Sequence, residues 1–227
     1  MADLKALQKT LKVRFKHPSL LELALIHSSY VNENPELAAT DNERLEFLGD
    51  AVLGFIVAEE LYKRFPRFSE GEMTRLRSLL VRQDALSRMA RAIKLGDYLY
   101  LGRGEEASGG RRKPANLAGA LEAVIAAVFL DRGQTAARKF ILKLADRELK
   151  KALSQGVEAD YKSRLQELIQ ASQQQAPSYR VVDTRGPEHD RRFTVEVRVG
   201  DRVLGRGSGK NKKSAEAEAA RSALDQL

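Results

Sequence analysis

The sequence contains no cysteine among its 227 residues, which excludes disulfide cross-links and thiolate metal sites. Histidine is almost as scarce. His17, His27 and His189 are the whole supply, and neither His17 nor His27 has a second histidine or a carboxylate at ligand spacing. Both are expected to pack or cap within the N-terminal part of the chain, so of oxygen and imidazole, oxygen is the expected ligand for any metal. The opening stretch MADLKALQKTLKVRFKH has no apolar core of the secretory type. No window reaches the ~18 apolar residues of a membrane span. The expectation is a cytoplasmic protein with no membrane partner.

A hydrophobic fraction of 43% is ample for a core, and a formal charge of +8 suits a polyanionic partner. Lysine and arginine in excess also simply solvate surfaces, so charge alone makes nucleic acid only one candidate.

From Leu20 to about Leu153 apolar residues recur at three- and four-residue spacings, in stretches such as ERLEFLGDAVLGFIVAEELYKRF, EGEMTRLRSLLVRQDALSRMARAIKL and NLAGALEAVIAAVFLDRG. This predicts an all-α unit over residues 1–153, punctuated by Pro66, Gly96, the glycine-rich LGRGEEASGGRRKPA and Gly133. Residues 154–159 (SQGVEA) are small and polar, and are expected to be a linker. From 160 to 227 the pattern changes in kind. A helix, YKSRLQELIQ, precedes the alternating runs SYRVVDT, RRFTVEVRV and RVLGRGSG, and a last helix follows. The order is α-β-β-β-α, a small α+β domain of a size that folds alone.

Residues 42–52, NERLEFLGDAV, set three acids in an otherwise apolar run. On a helix Glu46 and Asp50 lie about 40° apart around the axis, with Glu43 one turn earlier, so all three share a face. Leu45, Leu48, Val52 and Phe55 are expected to supply the apolar packing. A solvated, capped face is the ordinary reading of such acids. Against it stand their clustering, the scarcity of cations at pairing distance, with Arg44 off the face, and Gly49, which costs about 1 kcal/mol relative to alanine with no packing motive visible in sequence. Like charges held together repel unless a divalent cation joins them. A further isolated acid, Glu122, interrupts NLAGALEAVIAAVFL. Packed helix against helix, it can complete a carboxylate cluster of the hard-oxygen type that magnesium takes alongside waters and phosphates.

Together, NERLEFLGDAV, FPRFSEGEMTRLRSLLV, LGRGEEASGG and LEAVIAAVFLD resemble the ribonuclease III family, in order and spacing, over essentially the whole chain. The resemblance implies metal-binding carboxylates at Glu46, Asp50 and Glu122, with Asp50 and Glu122 catalytic. It implies supporting acidic positions at Glu43, Glu70 and Glu105. Phe47 matches an aromatic that in family dimers enters a socket on the partner, although as a residue it also reads as an ordinary core phenylalanine. Magnesium, with manganese able to substitute, would serve hydrolysis of double-stranded RNA to 5′-phosphate products with short 3′ overhangs by a homodimer.

One position departs from the family pattern. Three residues before the last glutamate the family usually has aspartate, and here Gly119 stands. Three readings follow. Asn116, one helical turn earlier, supplies an amide oxygen; a water fills the gap; or the enzyme is impaired, a duplex-RNA-binding protein on a nuclease scaffold. The intact Glu46, Asp50 and Glu122 favour the first two.

In SGKNKKSAEAEAA, Lys210, Lys212 and Lys213 stand at the start of the last helix, where cations and helix N–H groups together can clamp phosphate. With the α-β-β-β-α order, LQELIQ and GPEHDRRF, the segment resembles the double-stranded RNA-binding domain. By position that implies Ser163, Gln166 and Glu167 at one minor groove and His189 at the next, with the lysines on the phosphates between them. Such a domain selects A-form helices, which disfavours DNA as substrate.

Overall fold

A computed structural model describes residues 2–66, 68–173, 176–187 and 191–227, with 154–160 and 172–173 described by backbone alone. Two compact units divide the chain, Met1–Lys150 and Lys151–Leu227.

The first unit is helical, as its periodicity requires. α1 (Leu4–Leu11), absent from the sequence reading, begins where Asp3 accepts the Ala6 N–H and ends at Lys12 in the left-handed region. α2 (Pro18–Leu23) and α3 (Ser28–Glu33) follow, with His17 and His27 at their N-cap positions. Both histidines thus stand at caps, and the His27 Nδ1 accepts the Ser29 N–H at 3.1 Å. α4 (Glu43–Arg64) is the long central helix. α5 (Glu70–Val81) opens on a capping box between Ser69 and Glu72, and α6 (Gln83–Ala92) follows at once. The two form no continuous helix, because Arg82 takes an extended backbone, ψ 150°. No glycine or proline marks that break, so periodicity passes over it. α7 (Arg103–Ala107) lies in the glycine-rich segment between two short 3-10 turns, Leu95–Tyr98 and Gly110–Arg112.

α8 (Pro114–Gln173) starts on a proline at its first position, where the missing N–H costs nothing, and is broken at Gly133, φ 76°. One stretch within Pro114–Leu153 is long and apolar enough to cross a membrane by length and composition, which corrects the expectation that no window reaches that mark. Two-thirds of that window is buried inside the protein, as expected of a core helix. Leu117, Leu121, Val124 and Ile125 are at most 1% exposed and share the core with Leu53, Ile56 and Leu61 of α4. Of the residues expected to pack on α4, Leu45 and Val52 are buried, Leu48 is half-buried and Phe55 is the exception. It is expected to pack, yet it is 57% exposed.

Residues 154–159, expected as a linker, carry helical backbone within α8, and the division between units falls just before them, after Lys150.

In the second unit β1 (Ser178–Arg185), β2 (Arg192–Val199) and β3 (Arg202–Gly209) form an antiparallel sheet in that order, and α9 (Lys212–Leu224) covers one face. With the last part of α8 this gives the expected α-β-β-β-α order. Val195, Val197 and Val199 project at alternate positions into a core with Leu165, Ile169 and the alanines of α9. Close approach explains the small residues: a Cβ at Gly207 would stand 2.1 Å from the Ala219 nitrogen.

Candidate active site

The acids of α4 and Glu122 of α8 come together because the two helices cross at Gly49. A Cβ there would lie 1.9 Å from the Glu122 carbonyl oxygen, so only glycine permits this approach, and the packing motive invisible in sequence is supplied. Leu45, Val52 and Leu53 are buried on the face of α4 centred on Gly49, and Glu46 is half-buried at its edge while Glu43 and Asp50 are exposed.

The electrostatics follow from that geometry. Burial holds the Glu122 carboxyl far above the ordinary range, at about 7, and the charges of Glu46 and Asp50 add to the effect. Burial also raises Glu46, reinforced by Glu43 and Asp50 and opposed by His27. None of these three carboxylates has a side-chain hydrogen bond or ion pair among the described residues. This contrasts with Glu105, which is held below its usual range by hydrogen bonds from Lys113 and then Asn116.

Gly119 faces this cluster. A Cβ at 119 would meet the Glu46 Oε2 at 2.4 Å, so the space a side chain would fill is taken by the Glu46 carboxylate. Asn116 donates its Nδ2 to the Glu105 Oε1 at 2.7 Å and to the Gly110 carbonyl at 3.0 Å. Its tethers run to Glu105, and its Oδ1 accepts from no donor among the described residues.

The donor set suits a hard divalent cation. Three uncompensated carboxylates, two of them partly buried, stand on facing helices, and the cradle at Gly119 holds a carboxylate oxygen. Among the described residues no three such groups converge on one point, so an ion here would keep part of its shell as water, as magnesium ordinarily does.

The other expected positions are more dispersed. Glu70 accepts from the Thr74 hydroxyl at 2.7 Å and lines a cavity of about 420 Å³ with Phe55, Tyr62 and Met73, apart from the carboxylate cluster. Phe47 is 81% exposed, which removes the core reading, and Tyr62 is 71% exposed. With Phe55 they form an apolar stripe along α4. In the second unit Gln166, Glu167, Lys210, Lys212 and Lys213 are exposed. Ser163, also exposed, lies on the same helix, whose Leu165 and Ile169 are buried. Asn211 caps α9 by accepting the Ser214 N–H, which sets Lys212 and Lys213 in its first turn. His189 lies outside the described residues. Sequence reasoning missed the proximity of His27 to both Glu46 and Glu105, for which no local signal exists.

Comparison with known proteins decides the family. A model described as Ribonuclease-III-like matches residues 17–148, and one described as Double-stranded RNA binding motif matches residues 161–227. The chain belongs to the ribonuclease III family. It is 56% identical over 227 residues to Ribonuclease 3 of Dehalococcoides mccartyi, covering all of this chain and 96% of that protein. It is 48% identical over 223 residues to Ribonuclease 3 of a Roseiflexus species, covering 97% and 94%. Among solved structures, the nuclease domain of ribonuclease III from Campylobacter jejuni superposes with a TM-score of 0.60 at 37% identity, covering 64% of this chain and 98% of that one.

Proposed function

We propose that this ribonuclease III family chain is an endoribonuclease that hydrolyses phosphodiester bonds of double-stranded RNA with a divalent metal, magnesium with manganese able to substitute, held by Glu46, Asp50 and Glu122. The observation that carries this reading is the set of facing carboxylates without counter-charge, with Glu122 pushed up to about 7. A chain that keeps such a repulsive arrangement gains by binding a cation there. A metal held by Glu46, Asp50 and Glu122 would supply activation of a water and neutralisation of charge on the phosphate and the leaving 3′ oxygen.

The protein's own share is positional. Gly49 keeps α4 and α8 close enough for Glu122 to face Glu46 and Asp50, and Gly119 gives the Glu46 carboxylate its seat. Glu105 tethers the Asn116 amide nitrogen, leaving the amide oxygen to accept from a bound water or to serve as a further ligand. Glu43, Glu70 and Glu105 take supporting roles. The seat at Gly119 is filled, and that favours the enzyme over a noncatalytic RNA-binding scaffold.

Residues 1–153 form the nuclease domain in this reading, and 160–227 the domain that holds duplex RNA through Ser163, Gln166, Glu167, His189, Lys210, Lys212 and Lys213. The exposed stripe of Phe47, Phe55 and Tyr62 is the face on which two copies pair. Phe47 of one copy enters the cavity beside Tyr62 and Met73 of the other, and the pair sets two sites across one duplex. Products carry 5′-phosphate and 3′-hydroxyl ends with short 3′ overhangs, and the physiological substrates are structured RNAs such as ribosomal and messenger precursors, processed in the cytoplasm. Duplex DNA is a poor substrate.

The test is incubation of long duplex RNA with magnesium beside an Asp50→Asn control, with the product ends mapped. Cutting that the control abolishes supports the enzyme, and binding without cutting supports the scaffold.

A further inference from the structure

Away from the carboxylate cluster, the nuclease unit presents a concave cationic face. One wall is α1 and the turn after it, with Lys5, Lys9, Lys12 and Arg14 all exposed. The other flanks the break at Gly133 and carries Arg132, Lys139 and Lys143, also exposed. A hollow of about 410 Å³ separates Lys12 and Arg14 from Arg132, Lys139 and Lys143, and Lys5 and Lys9 line an adjoining hollow that shares Lys12 and Arg14 with it. Arg132 stands roughly 15 Å along the helix from Glu122, at 1.5 Å of rise per residue, so this face is separate from the cluster.

Three observations mark it as more than a solvated surface. First, none of these seven cations has an ion-pair partner among the described residues, whereas some cations elsewhere in the unit do: Lys63 with Glu59, Arg88 with Glu148, Lys113 with Glu105, and Arg138 with Glu59 and Glu60. Arg138, adjacent to Lys139 but on another side of the helix, is fully engaged. Second, like charges recur at four-residue spacing on both walls, Lys5 with Lys9 and Lys139 with Lys143, an arrangement that destabilises a helix by a few tenths of a kcal/mol per pair. The helix dipole favours Lys9 and Lys12 at the end of α1 but disfavours Lys5 in its first turn. Third, Lys12 occupies a left-handed backbone, φ 56°, where glycine is at ease and a long side chain is strained.

The nearby acids do not quench this field by pairing. Asp3 is committed to the Ala6 N–H, and the buried Asp131 accepts the Lys16 and His17 N–H groups at 2.8 Å each. The floor is closed: Leu11 and Phe140 are 3% and 4% exposed, which offers little apolar grip to a peptide anchor. What the face presents to a partner is charge, spaced along two walls, and such a surface fits a phosphate chain rather than an amphipathic peptide.

We propose that this face is a second duplex-RNA contact, engaging phosphates beyond the stretch held by the RNA-binding unit and favouring long duplexes over short ones. The inference rests on duplex RNA being the substrate.

The test uses the full chain without divalent metal, so that binding is read without cutting. Affinity is measured against salt for a duplex of about 16 base pairs, enough to fill the RNA-binding unit, and for one several times longer. For Lys9→Gln/Lys139→Gln/Lys143→Gln, long-duplex affinity is expected to fall about tenfold, and the slope of log affinity on log salt to become shallower by about 2 to 3, near 0.9 for each phosphate that is no longer neutralised. Short-duplex affinity and short-duplex cleavage with magnesium should stay unchanged. The corresponding triple arginine variant should retain the wild-type slope, which separates charge from folding. Equal slopes for wild type and the glutamine variant on the long duplex overturn the proposal, as does an equal loss on both duplexes. Failure of the wild type to bind either duplex instead overturns the underlying substrate reading.

Discussion

Replacing Glu122 by glutamine removes a charge while keeping size and shape, and the effect on folding should depend on pH in a defined sense. In the folded metal-free chain the Glu122 carboxyl titrates at about 7, against an ordinary 4.5, because of burial and then the charges of Glu46 and Asp50. Below pH 4.5 it is protonated folded and unfolded alike, and the wild type and Glu122→Gln should have matching pH behaviour. Between 4.5 and 7 the unfolded chain releases a proton that the folded chain keeps, so the wild type loses stability as pH rises. Above 7 the difference is at its full value. At 1.36 kcal/mol per pH unit the ceiling is near 3.4 kcal/mol; partial exposure of the side chain lets water screen the charges, which brings the expectation to about 2 kcal/mol. Denaturant unfolding of the nuclease unit, followed in the full chain with chelator at pH 4.5 and pH 8.5, reads this directly. Glu122→Gln should gain about 2 kcal/mol on the wild type between the two pH values, and magnesium at pH 8.5 should narrow the gap by stabilising the wild type more. A gap that does not change with pH refutes the reasoning, because it means that neither burial nor the neighbouring carboxylates raise the Glu122 carboxyl.

Other consequences concern the glycines, the stripe and the lysines. Gly49→Ala forces a methyl to within 1.9 Å of the Glu122 carbonyl oxygen and should destabilise the nuclease unit by roughly 3 kcal/mol, measurable by denaturant unfolding. Gly119→Ala meets only the mobile end of Glu46, so stability should change by less than about 1 kcal/mol while metal affinity by calorimetry falls about tenfold. Phe47→Ala removes an exposed ring and should shift sedimentation toward the monomer, with the stability of the monomer altered by no more than about 0.5 kcal/mol. Asn116→Ala should lower magnesium-dependent cleavage well below wild type, and an unchanged rate would remove Asn116 from the site. Lys212→Gln/Lys213→Gln should flatten the salt dependence of duplex RNA binding by about 2.

Much of this was legible before the fold was known, for identifiable reasons. The shared face of Glu43, Glu46 and Asp50 follows from helical spacing alone, and the alternation of Val195, Val197 and Val199 gave the buried face of β2. What required the fold is tertiary. Gly49 looked like a helix defect until the Glu122 backbone was found against it, and Gly119 looked like a missing ligand until Glu46 was found in its place. Phe55 shows the limit of periodicity, which identifies an apolar stripe without saying whether the stripe meets the core or another surface. The extended Arg82 between α5 and α6 breaks a helix where no glycine or proline marks it, and residues 154–159, read as a linker from their small polar composition, carry helical backbone.

Binding of manganese to the metal-free chain, read by electron paramagnetic resonance, tests the central claim most directly. Wild type should take up manganese at the carboxylate cluster, magnesium should displace it, and Asp50→Asn and Glu46→Gln should each weaken uptake at least tenfold while leaving the fold intact. Equal uptake by wild type and both variants would place the metal elsewhere and contradict the assignment of Glu46, Asp50 and Glu122.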